Sequence, residues 1–212
     1  MMNTDDTKNT MLSKIDKKWK IFILVGTSIF MSTLDSSIVN VALPFMMQDL
    51  NSSIQVIQWV VIIYLLTVSA LLLTFGRLSD IKGRKLVYVT GFSFFTLGSL
   101  LCAIAATPIW LIMARSVQGL GASMLMACSP ALIVDVFPPR ERGKALGMLG
   151  AVVAAGLTTG PVAGGLILEY LSWRYIFYIN LPIGIAAAIA GVILLSGSAD
   201  ARSSREPMDV SG

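Results

Sequence analysis

Six long apolar runs constrain this chain more than any other feature. A helix needs about 20 apolar residues to cross ~30 Å of hydrocarbon at ~1.5 Å per residue. Runs of that kind lie at approximately 21–46, 54–76, 86–106, 109–137, 145–168 and 174–196. They are too long and too evenly apolar for the ten-residue alternation of an outer-membrane barrel, so the expected fold is all-α and polytopic. The first run is also longer than the apolar stretch of a signal peptide and no small-residue cleavage site follows it, so it is expected to be retained. Charge supports this reading: Asp, Glu, Lys and Arg make up 13% of the 212 residues, about half the ~25% of a soluble domain. Of the 28 charged residues, 8 fall in residues 1–20 and 5 in residues 197–212, leaving 15 for the 176 between. A water-soluble globule is excluded. The net charge of +4 is gathered in short clusters rather than spread over a face, which argues against nucleic-acid binding. With no histidine in the chain, His-based metal sites and Ser-His or Cys-His catalysis are ruled out, and neither an enzyme nor a metal centre is expected. Cys102 and Cys128 sit inside apolar runs at no metal or redox spacing and read as small core residues.

Loop charges orient the spans. Lys8, Lys14, Lys17, Lys18 and Lys20 precede the first run, Arg77, Lys82, Arg84 and Lys85 follow the second, Arg140, Arg142 and Lys144 follow the fourth, and Arg202 and Arg205 lie in the tail. That places 14 of the 16 Lys and Arg on one side, leaving Arg174 opposite and Arg115 inside a run. Positive loops stay cytoplasmic, so both termini are expected there, in a multi-pass protein of the cell membrane. Trp19, Trp59, Trp110 and Trp173 mark span ends, where indole rings favour the interface. Residues 1–20 and 197–212 read as solvated tails flanking a transmembrane domain at 21–196.

Charge inside a span is costly and must face protein or water. Asp35 interrupts the first run, and Ser28, Ser32, Asp35 and Ser36 share one helical face, which reads as lining something wet. Arg115 is the matching cation, with Gln118 one turn along the same face. Asp35 lies ~21 Å from the Lys20 edge and Arg115 ~9 Å inside the opposite edge, so their depths overlap and they can pair. Two readings stand side by side: an ion pair that fixes helix packing, or a titratable carboxylate that exchanges a proton as cargo passes.

In the fifth run Gly156, Gly160 and Gly164 recur every four residues, with Pro161 and Gly165 beside them. Such a face lets helices touch closely, and the proline predicts a bend. In the loop Gly76–Lys85 a glycine at each side permits a tight reversal, and the basic residues follow the positive-inside rule, which leaves Asp80 unexplained. Asp135 closes the fourth run ahead of Pro138-Pro139. Gly76-x-Leu-x-Asp80 leading to Gly83-Arg84 echoes Gly165-Leu-Ile-Leu-Glu169 leading to Trp173-Arg174. The two copies follow the second and fifth runs, as an inverted repeat of three plus three helices predicts.

These residues resemble the major facilitator superfamily, and within it the fourteen-span drug:proton antiporters. Gly76–Lys85 is similar to the G-x-L-a-D-r-x-G-r-k signature, Arg115–Ala122 to the fourth-span R-x-x-Q-G-x-G-a motif, and Gly156–Gly165 to the g-x-x-x-G-P-x-x-G-G antiporter motif. Leu34–Pro44, which includes Asn40, and Trp173–Gly184 resemble two further motifs of that group. The resemblance implies a six-helix half of a major facilitator fold that exports small hydrophobic or drug-like compounds against a proton gradient, with no bound cofactor. It implies that Asp35 is the proton-linked carboxylate, that Arg115 and Gln118 partner it, and that Ser32 and Asn40 belong to the cavity. Gly76, Asp80, Gly83, Arg84, Lys85 and Asp135 become a cytoplasmic gating cluster, and Gly156, Gly160, Pro161, Gly164 and Gly165 a helix that seals against proton leak. The family has twelve or fourteen spans and this sequence carries six, so a truncated N-terminal half is expected, whose partners are the bilayer, a small-molecule substrate and a missing C-terminal half or second membrane subunit. The alternatives are a non-transporting remnant, or a half-size module that works with a partner or as a homodimer.

Overall fold

The structure, a computed structural model, describes residues 4–195, with side chains from 17 onward. All regular structure among these residues is helical: α1 Thr4–Asp49, α2 Ile54–Ile57, α3 Trp59–Lys82, α4 Arg84–Ala103, α5 Pro108–Val136, α6 Pro139–Tyr170, α7 Tyr175–Tyr178 and α8 Asn180–Leu194. They make six spans long and apolar enough to cross a membrane: Lys17–Asp49, Ile54–Lys82, Arg84–Ala103, Pro108–Val136, Pro139–Tyr170 and Tyr175–Leu194. The second and sixth are each interrupted at one residue, Gln58 and Ile179.

Boundaries differ from the sequence expectation in places, for local reasons. Helix α1 begins at Thr4, so the expected N-terminal tail is helical well before residue 21. The start of its span is anchored: Lys18 Nζ meets Glu141 Oε2 at 2.5 Å and lies 5.4 Å from the Phe137 ring centroid. Helix α6 begins at Pro139 rather than 145, because a proline at the first helical position forgoes only an N–H that has no intrahelical partner, and Glu141 in the first turn complements the helix dipole. Thr107 caps α5 by accepting from Trp110 N at 3.2 Å, ahead of Pro108. The C-terminal tail, with Arg202 and Arg205, lies outside the described residues.

Helix α1 packs along α6, α3 along α5, and α4 along α5 and α8. The first span thus meets the fifth as the fourth meets the second, the pairing that exchange of two three-span sets preserves. The sequence of buried, half-buried and exposed positions from 21 to 42 recurs from 111 to 132 with one difference, at Gly26 against Ser116. The charges break this symmetry: ninety residues from Arg115 stands Val25, and ninety from Asp35 stands Leu125.

The core has two apolar layers. One gathers Ile21, Tyr88, Phe92, Phe95, Leu125 and Cys128, the other Ile38, Met46, Val60, Leu111, Trp173 and Phe177. Asp35 lies between Met31 of the first layer and Ile38 of the second, and Arg115 and Gln118 between Leu111 and Ala122. The polar groups are therefore clamped between two dry zones. The spans of α3 and α6 are the least buried, exposing Leu65, Leu66 and Leu73 on one and Leu157, Val162 and Leu166 on the other.

Candidate functional site

Residues of six helices gather around Asp35. It arrives on α1 and is 1% exposed, while Arg115 and Gln118 of α5 are fully buried. Arg115 Nη1 donates to Asp35 Oδ2 at 2.5 Å and to Gln118 Oε1 at 2.6 Å, and Arg115 Nε donates to Val60 O of α3 at 3.1 Å. Gln118 Nε2 donates to Asp35 Oδ1 at 2.9 Å and to Ser99 Oγ of α4 at 2.8 Å. Asn180, the first residue of α8, donates from Nδ2 to the same Oδ1 at 3.1 Å. The guanidinium carbon sits 4.1 Å from the Tyr64 ring centroid and 5.8 Å from that of Phe177. Arg115 Nη2 has no hydrogen-bond partner, so the ring faces are its compensation. Burying two ions costs several kcal/mol each, on the order of what their attraction returns, and only near-complete hydrogen bonding makes the pair tolerable.

The polar face of α1 is mostly buried against protein rather than open. Ser28 and Ser32 are buried with Asp35, and Ser36 is half-buried. Ser28 Oγ donates to Val25 O at 2.8 Å and accepts from Tyr88 Oη at 2.7 Å. Ser32 Oγ donates to Ser28 O at 2.9 Å, and Ser32 O accepts from Tyr64 Oη at 3.2 Å. Protein groups take the place that water holds in the sequence expectation. Asn40 stands apart: it is exposed and donates to Ser36 O of its own helix at 2.8 Å.

Glycines set the spacing that makes this cluster possible. A Cβ at Gly98 of α4 would lie 2.5 Å from Gln118 Cα and N, and one at Gly121 would strike Phe95 N of the same helix pair. One at Gly119 would lie 3.0 Å from Thr67 Cβ of α3. Helix α5 is thereby drawn against both neighbours, with Gln118 at one of its close approaches to α4. Along α6, Gly156 faces Thr33, Gly160 would place a Cβ 2.5 Å from Ser37 Cβ, and Gly164 one 3.0 Å from Ile38 Cγ1. Close helix packing accounts for these three. Gly165 has open space around it, and Pro161 is exposed. Pro161 has no N–H for the carbonyl of Leu157, four residues earlier. Ser37 Oγ of α1 donates to that carbonyl at 2.8 Å instead, so the proline becomes a cross-link between α6 and α1.

A second polar group sits at the Lys- and Arg-rich end. Arg84 Nη1 donates to Ala131 O at 2.7 Å and to the carboxylate of Asp135, and Nη2 to Asp80 Oδ1 at 3.4 Å. Asp80, Arg84, Lys85 and Asp135 line one cleft there. Gly83 makes the reversal, with φ of 91°, a conformation that side chains disfavour. Gly76 differs from the expectation: it lies within α3, about two turns before the reversal at Gly83.

The opposite end holds a matching clasp that loop charge alone does not reveal. Arg174 Nη1 donates to Asp49 Oδ2 at 2.7 Å, and Nη2 to Ala105 O at 3.1 Å. Trp173 Nε1 donates to the same Asp49 oxygen at 3.1 Å. Trp173 is 3% exposed, so it is a core residue rather than the interfacial anchor expected from its place in the sequence; Trp19, Trp59 and Trp110 are exposed. Among the residues around Asp35, sequence reasoning missed Tyr64, Ser99 and Asn180. The signal for Asn180 was its place between Trp173 and Gly184. Tyr64 and Ser99 carry none beyond being polar atoms in apolar runs.

The sequence profile of the Major Facilitator Superfamily matches residues 25–209. The chain belongs to the major facilitator superfamily. This major facilitator chain is 45% identical over 179 residues to the riboflavin transporter RibZ of Clostridioides difficile, covering 84% of this chain and 39% of that protein. It is 33% identical over 198 residues to the tetracenomycin C resistance and export protein of Streptomyces glaucescens, with 92% and 36% covered. It is 38% identical over 191 residues to the multidrug resistance protein Stp of Mycobacterium tuberculosis, with 90% and 35% covered. The chain therefore spans well under half the length of these relatives. In fold it is similar to an inward-facing, unoccupied bacterial homolog of the human lysosomal transporter Spinster, with a TM-score of 0.63 at 15% identity, covering 84% of this chain and 42% of that one. It is a multi-pass membrane protein of a transporter family, not an enzyme.

Proposed function

We propose that these six helices form one wall of a proton-coupled exporter of small, mostly apolar compounds, with Asp35 as the proton-carrying group. The observation that carries this reading is the Asp35–Arg115–Gln118 cluster itself, a carboxylate 1% exposed in the middle of a membrane bundle. Ionisable groups at that depth are rare and costly, and a packing role alone is met more cheaply by apolar side chains. The relatives named for multidrug resistance and for tetracenomycin C export support the cargo class; the riboflavin transporter widens it to a flat, ring-containing molecule.

Ser32 braces Tyr64 beside the pair, and Asn40, exposed about one and a half turns from Asp35, faces the cargo side. Arg84, Asp80, Asp135 and Lys85, next to the glycine reversal at Gly83, act as a latch at the cytoplasmic end. Both termini are cytoplasmic, by the distribution of Lys and Arg. Alternating access needs a second wall. A further six-helix unit supplies it, and the exposed faces of α3 and α6 are where it docks.

Proton-driven dye efflux from inverted membrane vesicles that also hold the second six-helix unit tests this, comparing the chain with its Asp35→Asn variant. The expected result is efflux that Asp35→Asn abolishes. Equal efflux in both removes Asp35 from the mechanism, and efflux in neither favours a non-transporting six-helix module.

A further inference from the structure

The hydrogen bonds around Asp35 fit its ionised form. Oδ2 receives Arg115 Nη1, and Oδ1 receives both Gln118 Nε2 and Asn180 Nδ2. All three are N–H donors. A protonated carboxyl carries an O–H of its own, which must find an acceptor where the residue is 1% exposed. A guanidinium has no acceptor atom. Gln118 is held from both ends, its oxygen by Arg115 Nη1 and its nitrogen by Asp35 and Ser99. Turning it would set its N–H groups against the cation. Asn180 is under no such constraint from Arg115. Its amide has a donor and an acceptor related by a half-turn about Cβ–Cγ, and it starts α8 just past the interruption at Ile179.

We propose that Asn180 is the positioning residue that follows the protonation state of Asp35. Nδ2 donates to the carboxylate, and after the amide turns, Oδ1 accepts the O–H of the carboxylic acid. The proton comes from and returns to the aqueous phase, and the amide neither gains nor loses an atom. Because Asn180 belongs to the sixth span, the turn carries the change at Asp35 from α1 and α5 to α8. This inference rests on the proton-coupling reading above.

Infrared difference spectra of the whole chain in lipid nanodiscs, recorded between alkaline and acidic buffer, test it. They are taken with and without ¹³C in the asparagine side-chain carbonyls, for the wild type, Asp35→Asn, Asn180→Leu and Asn40→Leu. The expected wild-type spectrum has a carboxylic C=O band lost in Asp35→Asn. Together with it, a label-sensitive asparagine carbonyl band moves to lower frequency as the carbonyl begins to accept an O–H. The asparagine band should disappear in Asp35→Asn and Asn180→Leu and survive in Asn40→Leu. An Asp35 band with no accompanying label-sensitive band overturns the role of Asn180 and leaves the proton reading standing, as does an asparagine band that persists in Asn180→Leu. If Asn180→Leu does not fold, the labelled wild type against Asp35→Asn and Asn40→Leu still decides. The absence of any Asp35 carboxylic band at acidic pH sinks the proton reading, and this inference with it.

Discussion

Replacing Arg115 by methionine removes the cation and keeps a side chain of comparable length. It takes from Asp35 the donor at Oδ2, from Gln118 Oε1 its 2.6 Å partner, and from Val60 O an N–H at 3.1 Å. Two amide donors remain on Oδ1. An exposed ion pair would cost about 0–1 kcal/mol to break, and a hydrogen bond between helices in a bilayer averages ~0.6 kcal/mol. Neither figure applies, because both side chains of this pair are 0% exposed. Removing one partner of such a pair leaves an uncompensated buried charge, at a cost of about 3–5 kcal/mol. The second half of the prediction separates charge from packing: Asp35→Leu combined with Arg115→Met removes both ions and should be more stable than Arg115→Met alone, recovering most of the loss. The assay is reversible unfolding in mixed micelles, followed by the fluorescence of the four tryptophans. A loss under about 1 kcal/mol for Arg115→Met, the range of an exposed pair, would refute the argument, as would a double variant no more stable than the single.

Gly98→Ala places a Cβ 2.5 Å from the backbone of Gln118 and should cost ~1–3 kcal/mol by forcing α4 from α5, whereas Gly165→Ala, with open space around it, should change stability by no more than ~0.5 kcal/mol; the same unfolding assay checks both. Ser37→Ala leaves the carbonyl of Leu157 without its donor and should cost about 1 kcal/mol. In a Pro161→Ala background the restored N–H takes over that carbonyl, so the cost of Ser37→Ala should shrink, and a double-mutant cycle measures the difference. Salt should weaken the Arg84 group more than the Asp35 cluster, since Asp80 is 63% exposed in its side chain and screened by mobile ions; unfolding of Asp80→Asn and Asp35→Asn at low and high salt compares the two.

The spans and the Asp35–Arg115 pair were legible because each follows from counting along one chain. Apolar run length fixes the number of crossings, and 1.5 Å per residue fixes depth, so two opposite charges at one depth can be matched without a structure. Which other side chains reach the pair depends on how far each helix is rotated and slid against its neighbours. That is decided by contacts such as Gly98 against Gln118, which involve residues twenty apart in sequence and leave no periodic trace. Tyr64 and Ser99 were hidden for this reason, and the motif around Asn180 did not tell that its amide reaches Asp35. The same ignorance of rotation made the serine face of α1 look wet, although Tyr88, Ser129 and Tyr64 stand ready to satisfy it. Trp173 was misplaced because proximity to a span end does not tell whether a ring points to lipid or inward to Asp49. The Arg174–Asp49 clasp joins residues 125 apart, and only the pairing of three helix ends brings them together.

Magic-angle-spinning NMR of the chain in lipid bilayers tests the central contact most directly, by measuring magnetisation transfer from the side-chain nitrogens of ¹⁵N-arginine to the ¹³C carboxyl carbons of aspartate. A guanidinium nitrogen 2.5 Å from a carboxylate oxygen of Asp35 predicts a strong cross-peak that vanishes in Asp35→Asn and in Arg115→Met. A wild-type spectrum unchanged by either substitution would mean that the two charges do not meet in the membrane.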